Sequence, residues 1–364
     1  MLRSACFVCF LAFVFTSCSF FGSYTHTPFS PVHPTQEIIK FSSPRATFFD
    51  YEKKQINWIS RTLTDYEQTR YEELLISFPS MGDNGQKDNR VYLRYLKNKL
   101  AGKKRLIVVL RIPGGPSTEG FPSSIMAAHL TNWGHLSYPW FTQSQDMDRM
   151  NVIIIENVKG IVDWQKFKQV RTETALLEMA ERTVNVIRTH VIDIRRLLDL
   201  VETWEEIDEK RIGIVGFSTS ATEAIIAMSI DKRLSAGVFV GGVARFHELI
   251  AYGTKEITYS VQKVVEKTLG LTKQQLADKL EAAFAPIDPI KYAHMINSER
   301  VLMFDSRYDE YLSEEMREAL AKSLGRPERV TYNLGHTRTI AIGSSVLGGG
   351  KIGRMAKRFF DEKL

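Results

Sequence analysis

A chain of 364 residues, 44% hydrophobic and 25% charged, can bury one large α/β core or two modest ones, and is not a globally disordered polymer. Its net charge of +6 comes from scattered Lys and Arg, with neither zinc-finger spacing nor an aromatic-rich RNP motif, so nucleic acid is not expected as a partner. The three cysteines, Cys6, Cys9 and Cys18, all precede residue 19, which leaves the rest of the chain without a disulfide, a thiolate metal site or a cysteine nucleophile.

Met1-Leu2-Arg3 supplies a positive start, Phe7–Phe15 an apolar run, and Thr16-Ser17-Cys18 small residues leading to a cysteine. The layout is that of a signal peptide, its apolar run too short for a comfortable transmembrane span. It resembles a bacterial lipoprotein signal, with Phe15 where Leu is usual. That resemblance implies removal of residues 1–17, lipidation of Cys18 as the new N-terminus, and a protein held to the membrane of the cell envelope through that lipid. A cleaved secretory signal (a secreted protein) and an uncleaved anchor are the alternatives. Residues 18–45 follow with Ser, Thr and Pro in excess, including Pro28, Pro31, Pro34 and Pro44. Proline blocks helix continuation and favours extended chain, so this stretch reads as a tether.

The folded domain is expected over residues 46–364. Strand-like runs at Tyr71–Phe78 and Arg90–Leu96 flank Gly82-Asp83-Asn84-Gly85, an antiparallel hairpin. Leu106–Ile112, Asn151–Ile155, Arg211–Val215, Gly237–Val240 and Val301–Phe304 are mostly apolar runs without alternation. Such runs suit strands covered on both faces, as in a parallel sheet between helices. Val184, Ile187, Val191, Ile194, Leu198 and Val201 recur at spacings of three and four, one helical face for core packing, while Arg188, Arg195, Arg196 and Glu202 fall off it. The fold class predicted is α/β: a doubly wound, mostly parallel sheet with a leading antiparallel hairpin. Residues 245–297 interrupt the alternation with helix-like stretches at Tyr259–Leu269 and Lys273–Phe284. This helical insertion is read either as a lid over the carboxyl ends of the strands or as surface decoration.

The chemistry concentrates at Arg211-Ile212-Gly213-Ile214-Val215-Gly216-Phe217-Ser218-Thr219-Ser220, a strand entering a tight turn, followed by Ala221, Ala224, Ile225 and Met228 at helical spacing. It resembles the nucleophile elbow of the α/β-hydrolase superfamily, Gly-x-Ser-x-Gly, with Ser220 in place of the second glycine. The resemblance implies that Ser218 is the nucleophile; an ordinary helix-capping serine is the alternative. A serine hydroxyl needs a base, and histidine suits that role near neutrality. Of eight histidines, only His336 follows the superfamily order of Ser, then acid, then His, in Arg329–Thr337. His26 and His33 fall in the tether; His129, His135 and His190 precede the elbow, and His247 and His294 lie in or beside the insertion. The acid is assigned to Asp309, with Ser306 where the family has Gly; Asp305 and Glu310 are rivals that pattern cannot separate. The implied oxyanion donors are the backbone N–H of Thr219 and that of Gly115, in a Pro113-Gly114-Gly115-Pro116 run that resembles the family's His-Gly-Gly-Pro. The alternative for that run is a plain turn.

The likeness spans roughly residues 70–364 and is nearest to dienelactone hydrolases, acetyl-xylan esterases and prolyl oligopeptidase catalytic domains. It implies two-step acyl transfer on a small-molecule ester or acyl substrate, without a metal or organic cofactor. A peptidase of the same fold, or an envelope lipoprotein that kept the fold without catalysis, is the alternative. The chain has no Walker A loop, no His-Glu-x-x-His helix and no Gly-x-Gly-x-x-Gly after its first strands. The insertion and the aromatic-rich stretch Trp133–Phe141 are expected to shape the pocket.

Overall fold

The five mostly apolar runs supply strands in the middle of one sheet. The structure, a computed structural model, describes residues 23–30, 46–65, 71–82, 88–110, 150–155, 161–344 and 351–364. Its strands are β1 (Tyr24–Thr27), β2 (Ile59–Asp65), β3 (Tyr71–Pro79), β4 (Arg90–Asn98), β5 (Lys104–Leu110), β6 (Met150–Ile155), β7 (Ile207–Phe217), β8 (Leu234–Val240), β9 (Val301–Ser306) and β10 (Glu328–Tyr332). They make a ten-stranded sheet in the order β1-β10-β9-β8-β7-β5-β6-β4-β3-β2. The neighbours from β10 through β9, β8, β7 and β5 to β6 run parallel, and antiparallel strands close both edges. β3 and β4 pair from Tyr71↔Asn98 to Pro79↔Arg90, while the turn between them lies partly outside the described residues.

Alternation along each strand sends successive side chains to opposite faces. Leu106, Val108 and Leu110 of β5 join Ile212 and Ile214 of β7 in one core; Ile107, Val109, Val215 and Phe217 face another. The first core is covered by α2 (Glu173–Val201), α3 (Thr219–Ile230) and the insertion. The second is covered by α9 (His336–Ser344) and α10 (Lys351–Lys363), whose Phe359 and Phe360 are buried there. Together with the helices of the insertion, the short α1 (Trp164–Phe167) and α7 (Ile290–Ala293) and α8 (Glu314–Ser323) complete the α-helices among the described residues.

The six-residue stripe predicted on α2 is buried along its whole length. Its off-stripe arginines are not simply solvated. Arg188 and Arg195 donate to the carbonyls of Phe48 and Phe49 at 2.5 and 2.8 Å, and Arg195 lies over the Tyr51 ring, so the segment just before β2 is strapped across the helix. The insertion consists of α4 (Phe246–Tyr252), α5 (Glu256–Leu269) and α6 (Lys273–Phe284), then α7. Val261, Val265, Leu276, Leu280 and Phe284 are buried in the first core, each such side chain worth about 1.5–3 kcal/mol of burial, so the insertion is part of the domain's stability rather than decoration.

One described segment of the stretch read as a tether belongs to the sheet. Tyr24–Thr27 forms β1, paired with the edge strand β10 from Tyr24↔Tyr332 to Thr27↔Arg329. An open sheet edge offers unpaired N–H and C=O groups, and any extended segment close by can take them up. Residues 1–22, including Cys18, and residues 111–149, including Gly115 and Trp133–Phe141, lie outside the described residues.

Candidate active site

β7 lies beside β5, while the chain leaves β5 for β6 on the other side, so the carboxyl ends of β5 and β7 flank a point where the winding direction reverses. Crevices in doubly wound sheets open at such points. Ser218 stands there, between the last residue of β7 and the first of α3. Its backbone has φ 53° and ψ −125°, a left-handed-side conformation that a side-chain-bearing residue adopts only under constraint.

Three contacts impose it. The Ser218 N–H donates to Val240 O of β8 at 2.7 Å. A Cβ on Gly216 would come within 2.6 Å of the Ala221 Cα, so only glycine lets the incoming strand and outgoing helix approach this closely. The buried Ser220 hydroxyl accepts from Phe217 N at 2.9 Å and donates to Phe217 O at 2.8 Å. The residue that departs from the Gly-x-Ser-x-Gly pattern thus ties the turn to itself. Thr219 is the first residue of α3, so its N–H is among the amides at a helix start that have no intrahelical acceptor.

On the other side of the site, His336 opens α9. Its Nε2 is 2.9 Å from Ser218 Oγ and its Nδ1 is 2.7 Å from Asp309 Oδ2. His336 is 5% exposed and the Asp309 side chain is fully covered, so little water competes for these bonds. The other Asp309 oxygen accepts from Tyr311 N and Leu312 N, both at 2.9 Å, which fixes the carboxylate toward the imidazole. The loop carrying Asp309 is in turn pinned to the loop carrying His336: Arg307 N donates to Tyr332 O at 2.7 Å and Tyr308 N to Leu334 O at 3.1 Å.

The three candidate carboxylates separate by their partners. Asp305, within β9, is buried against Arg329, 2.5 Å from its Nε; burial pushes its carboxyl up and the guanidinium draws it down, with a net rise. Glu310 does not touch the imidazole. It takes the backbone N–H of His336 at 2.8 Å and the Lys255 ammonium at 2.9 Å. Burial raises the Glu310 carboxyl, but the bonds from Lys255 and the backbone outweigh it and hold the group below the usual glutamate range.

The positions missed in the sequence are those that support this line. Ser220 as a lock had no signal beyond its small size. Gly241, at φ 59°, sits where a Cβ would meet His336 Cε1 at 2.9 Å; its Gly-Gly signature reads only as a strand end. The contacts of Glu310 and Lys255 join residues 55 apart and have no local signature. Of the other described histidines, His26 pairs with Glu328 at 2.8 Å and the buried His190 with Glu223 at 2.7 Å.

No protein-family model matches the chain, and no curated protein matches it by sequence. Solved structures do. An acetyl xylan esterase from Paenibacillus sp. R4 aligns with a TM-score of 0.60 at 15% identity, over 93% of this chain and 97% of its own. Acetyl xylan esterase 1 from Thermoanaerobacterium sp. JW/SL YS485 aligns at 0.58 and 14% identity, over 92% and 96%. An acylaminoacyl peptidase from Pyrococcus horikoshii gives 0.52 at 18% identity, over 84% of this chain but 44% of the peptidase. The chain has the α/β-hydrolase fold. At these identities the α/β-hydrolase fold is what is shared, and the chemistry carried on it depends on this chain's own side chains.

Proposed function

We propose that the protein is a serine hydrolase that cleaves a carboxylic ester, with Ser218 as nucleophile, His336 as general base and acid, and Asp309 as the group that orients the imidazole. One observation carries the reading: Ser218 Oγ, the His336 ring and the Asp309 carboxylate form an unbroken hydrogen-bonded line at a strained strand-to-helix turn. With Asp309 accepting from Nδ1–H, the free lone pair of His336 is on Nε2, facing the serine hydroxyl. As Oγ bonds to the substrate carbonyl carbon, its proton passes to Nε2, and the carbonyl oxygen becomes an oxyanion. The Thr219 N–H, at the positive end of α3, is the donor we assign to it, with Gly115 as the second. Collapse breaks the bond to the alcohol oxygen, which takes the proton from Nε2. Water, giving a proton to Nε2, then attacks the acyl-enzyme; the bond to Oγ breaks and Oγ recovers the proton.

The near end-to-end alignment with two acetyl xylan esterases supports an ester as substrate class, and the acylaminoacyl peptidase supports an amide as the second reading. Initial rates on an ester and an amide of the same acyl group distinguish them. The signal-like N-terminus ending at Cys18 supports a lipid-anchored protein of the bacterial envelope, with secretion as the alternative. A fluorophosphonate probe is expected to label the protein but not Ser218→Ala; equal labelling of both, or of neither, overturns the nucleophile. Cys18→Ala is expected to move the protein from the membrane fraction to the soluble one, and unchanged partitioning removes the anchor.

A further inference from the structure

Glu310 holds three parts of the molecule at once. Its carboxylate accepts from the backbone N–H of His336 at 2.8 Å and, through the other oxygen, from Lys255 Nζ at 2.9 Å and Thr337 Oγ at 3.5 Å. Its backbone carbonyl accepts both the N–H and the hydroxyl of Thr254, at 3.2 and 3.0 Å. Thr254 and Lys255 belong to the insertion, immediately before α5. The neighbouring Tyr311 repeats the connection with its ring: Lys255 Nζ is 5.7 Å from the ring centroid, and the ring meets the His336 imidazole edge-on at 5.3 Å. The insertion, the loop carrying Asp309 and the start of α9 therefore converge beside the imidazole.

We infer that Glu310 and Lys255 are positioning residues for His336, a charge-balanced clamp through which the docked insertion sets both the place and the basicity of the imidazole. The inference rests on the hydrolase reading for its consequence in catalysis, though not for its geometry. The His336 N–H lies at the N-terminus of α9, where it has no helical acceptor, and the Glu310 carboxylate is a favourable partner for that end of a helix. A carboxylate this close would by itself favour the imidazolium. Lys255 offsets it, and mutual support shows in both groups: a hydrogen bond to Glu310 is the leading cause that raises the Lys255 ammonium, while Glu310 is held low. The groups that face the ring region are Ser218 from the elbow, Asp309, Glu310 and Tyr311 from the acid loop, and Lys255 from the insertion. Arg338 on α9 acts on Lys255 as a further positive charge.

The balance gives the two single variants opposite signs. In Lys255→Met the Glu310 charge loses its nearest partner and the midpoint of the His336 ring titration should move up from that of the wild type; in Glu310→Gln the Lys255 charge loses its partner and the midpoint should move down. The double variant should return close to the wild-type value, and Lys255→Arg should keep it. The measurement is a pH titration of the His336 ring by NMR in the full chain, assigned against His336→Asn, which reads the imidazole whether or not Ser218 reacts. Fluorophosphonate labelling of the same samples reads the nucleophile separately, so loss of labelling in the wild type overturns the hydrolase reading and leaves the titration to decide the clamp. Shifts of the same sign in both single variants, or none in either folded variant, overturn the clamp. If Glu310→Gln does not fold, Lys255→Met against Lys255→Arg decides it: a rise in the first alone supports the clamp, and equal values overturn it. A loss of kcat of about tenfold with little change in KM on p-nitrophenyl acetate should accompany the displaced imidazole, a split expected of a group that acts in the transition state.

Discussion

The two halves of the site are built in opposite ways. The Ser218 side is made within one short stretch: Gly216 allows the approach, Ser220 ties the turn, and α3 begins at once behind it. The His336 side is assembled from three distant stretches, with Asp309 in one loop, His336 in another and Lys255 arriving from the insertion. A local turn can hold a strained residue with few partners. Two side chains on separate loops must be referenced to each other by many weak bonds, and here these are the backbone links Arg307–Tyr332 and Tyr308–Leu334 together with the Glu310 clamp.

Substitutions can break this contrast in graded steps. Ser218→Ala removes the group that both halves serve, and about 10⁶-fold should be lost from kcat on an ester substrate. Asp309→Asn should lose about 10⁴-fold. Its oxygen would stay with Tyr311 N and Leu312 N, which turns the amide NH₂ toward His336 Nδ1 and forces the ring proton onto Nε2, facing the serine. The wrong tautomer would then be measurable by NMR in a folded protein, and retention of activity would show that the two amides do not set the orientation. The smallest change tests the local half. Ser220→Ala leaves the Phe217 N–H and C=O without the hydroxyl in a fully buried place, for a loss of about 1–3 kcal/mol in urea unfolding, with kcat lowered less than tenfold. If stability is unchanged, Gly216 and the bond to Val240 hold the elbow without it.

The same contrast governs what could be read before the structure. The elbow was legible because its residues are contiguous, and the central strands because each carries a mostly apolar run such as Leu106–Leu110. The order of Ser218, Asp309 and His336 was legible as well. Choosing among Asp305, Asp309 and Glu310 was not, since the choice depends on where β9 ends and on which loop amides face which oxygen. In the structure Asp305 remains within the strand, facing Arg329, and Asp309 lies beyond it. β1 and β2 were missed for another reason: Tyr24-Thr25-His26-Thr27 and Ile59–Asp65 are edge strands, mostly polar and with residues 24–27 and 59–62 exposed, whose pairing comes from the neighbouring edge rather than from an apolar pattern.

The register of β1 also fixes a direction. Tyr24 stands opposite Tyr332, the last residue of β10, and Asn333 N donates to Ser23 O at 2.9 Å. β10 runs parallel to β7, the strand that leads into Ser218, so the chain joins the sheet at the rim where Ser218 and His336 lie, with Asn333 three residues before His336. Cys18 lies five residues before Ser23 in the sequence. Under the proposed lipid on Cys18, the molecule would be held at this rim rather than at the opposite one, with Lys351 beside Tyr24 where the chain joins the sheet. The rim that carries Ser218 and His336 would then look onto the membrane surface.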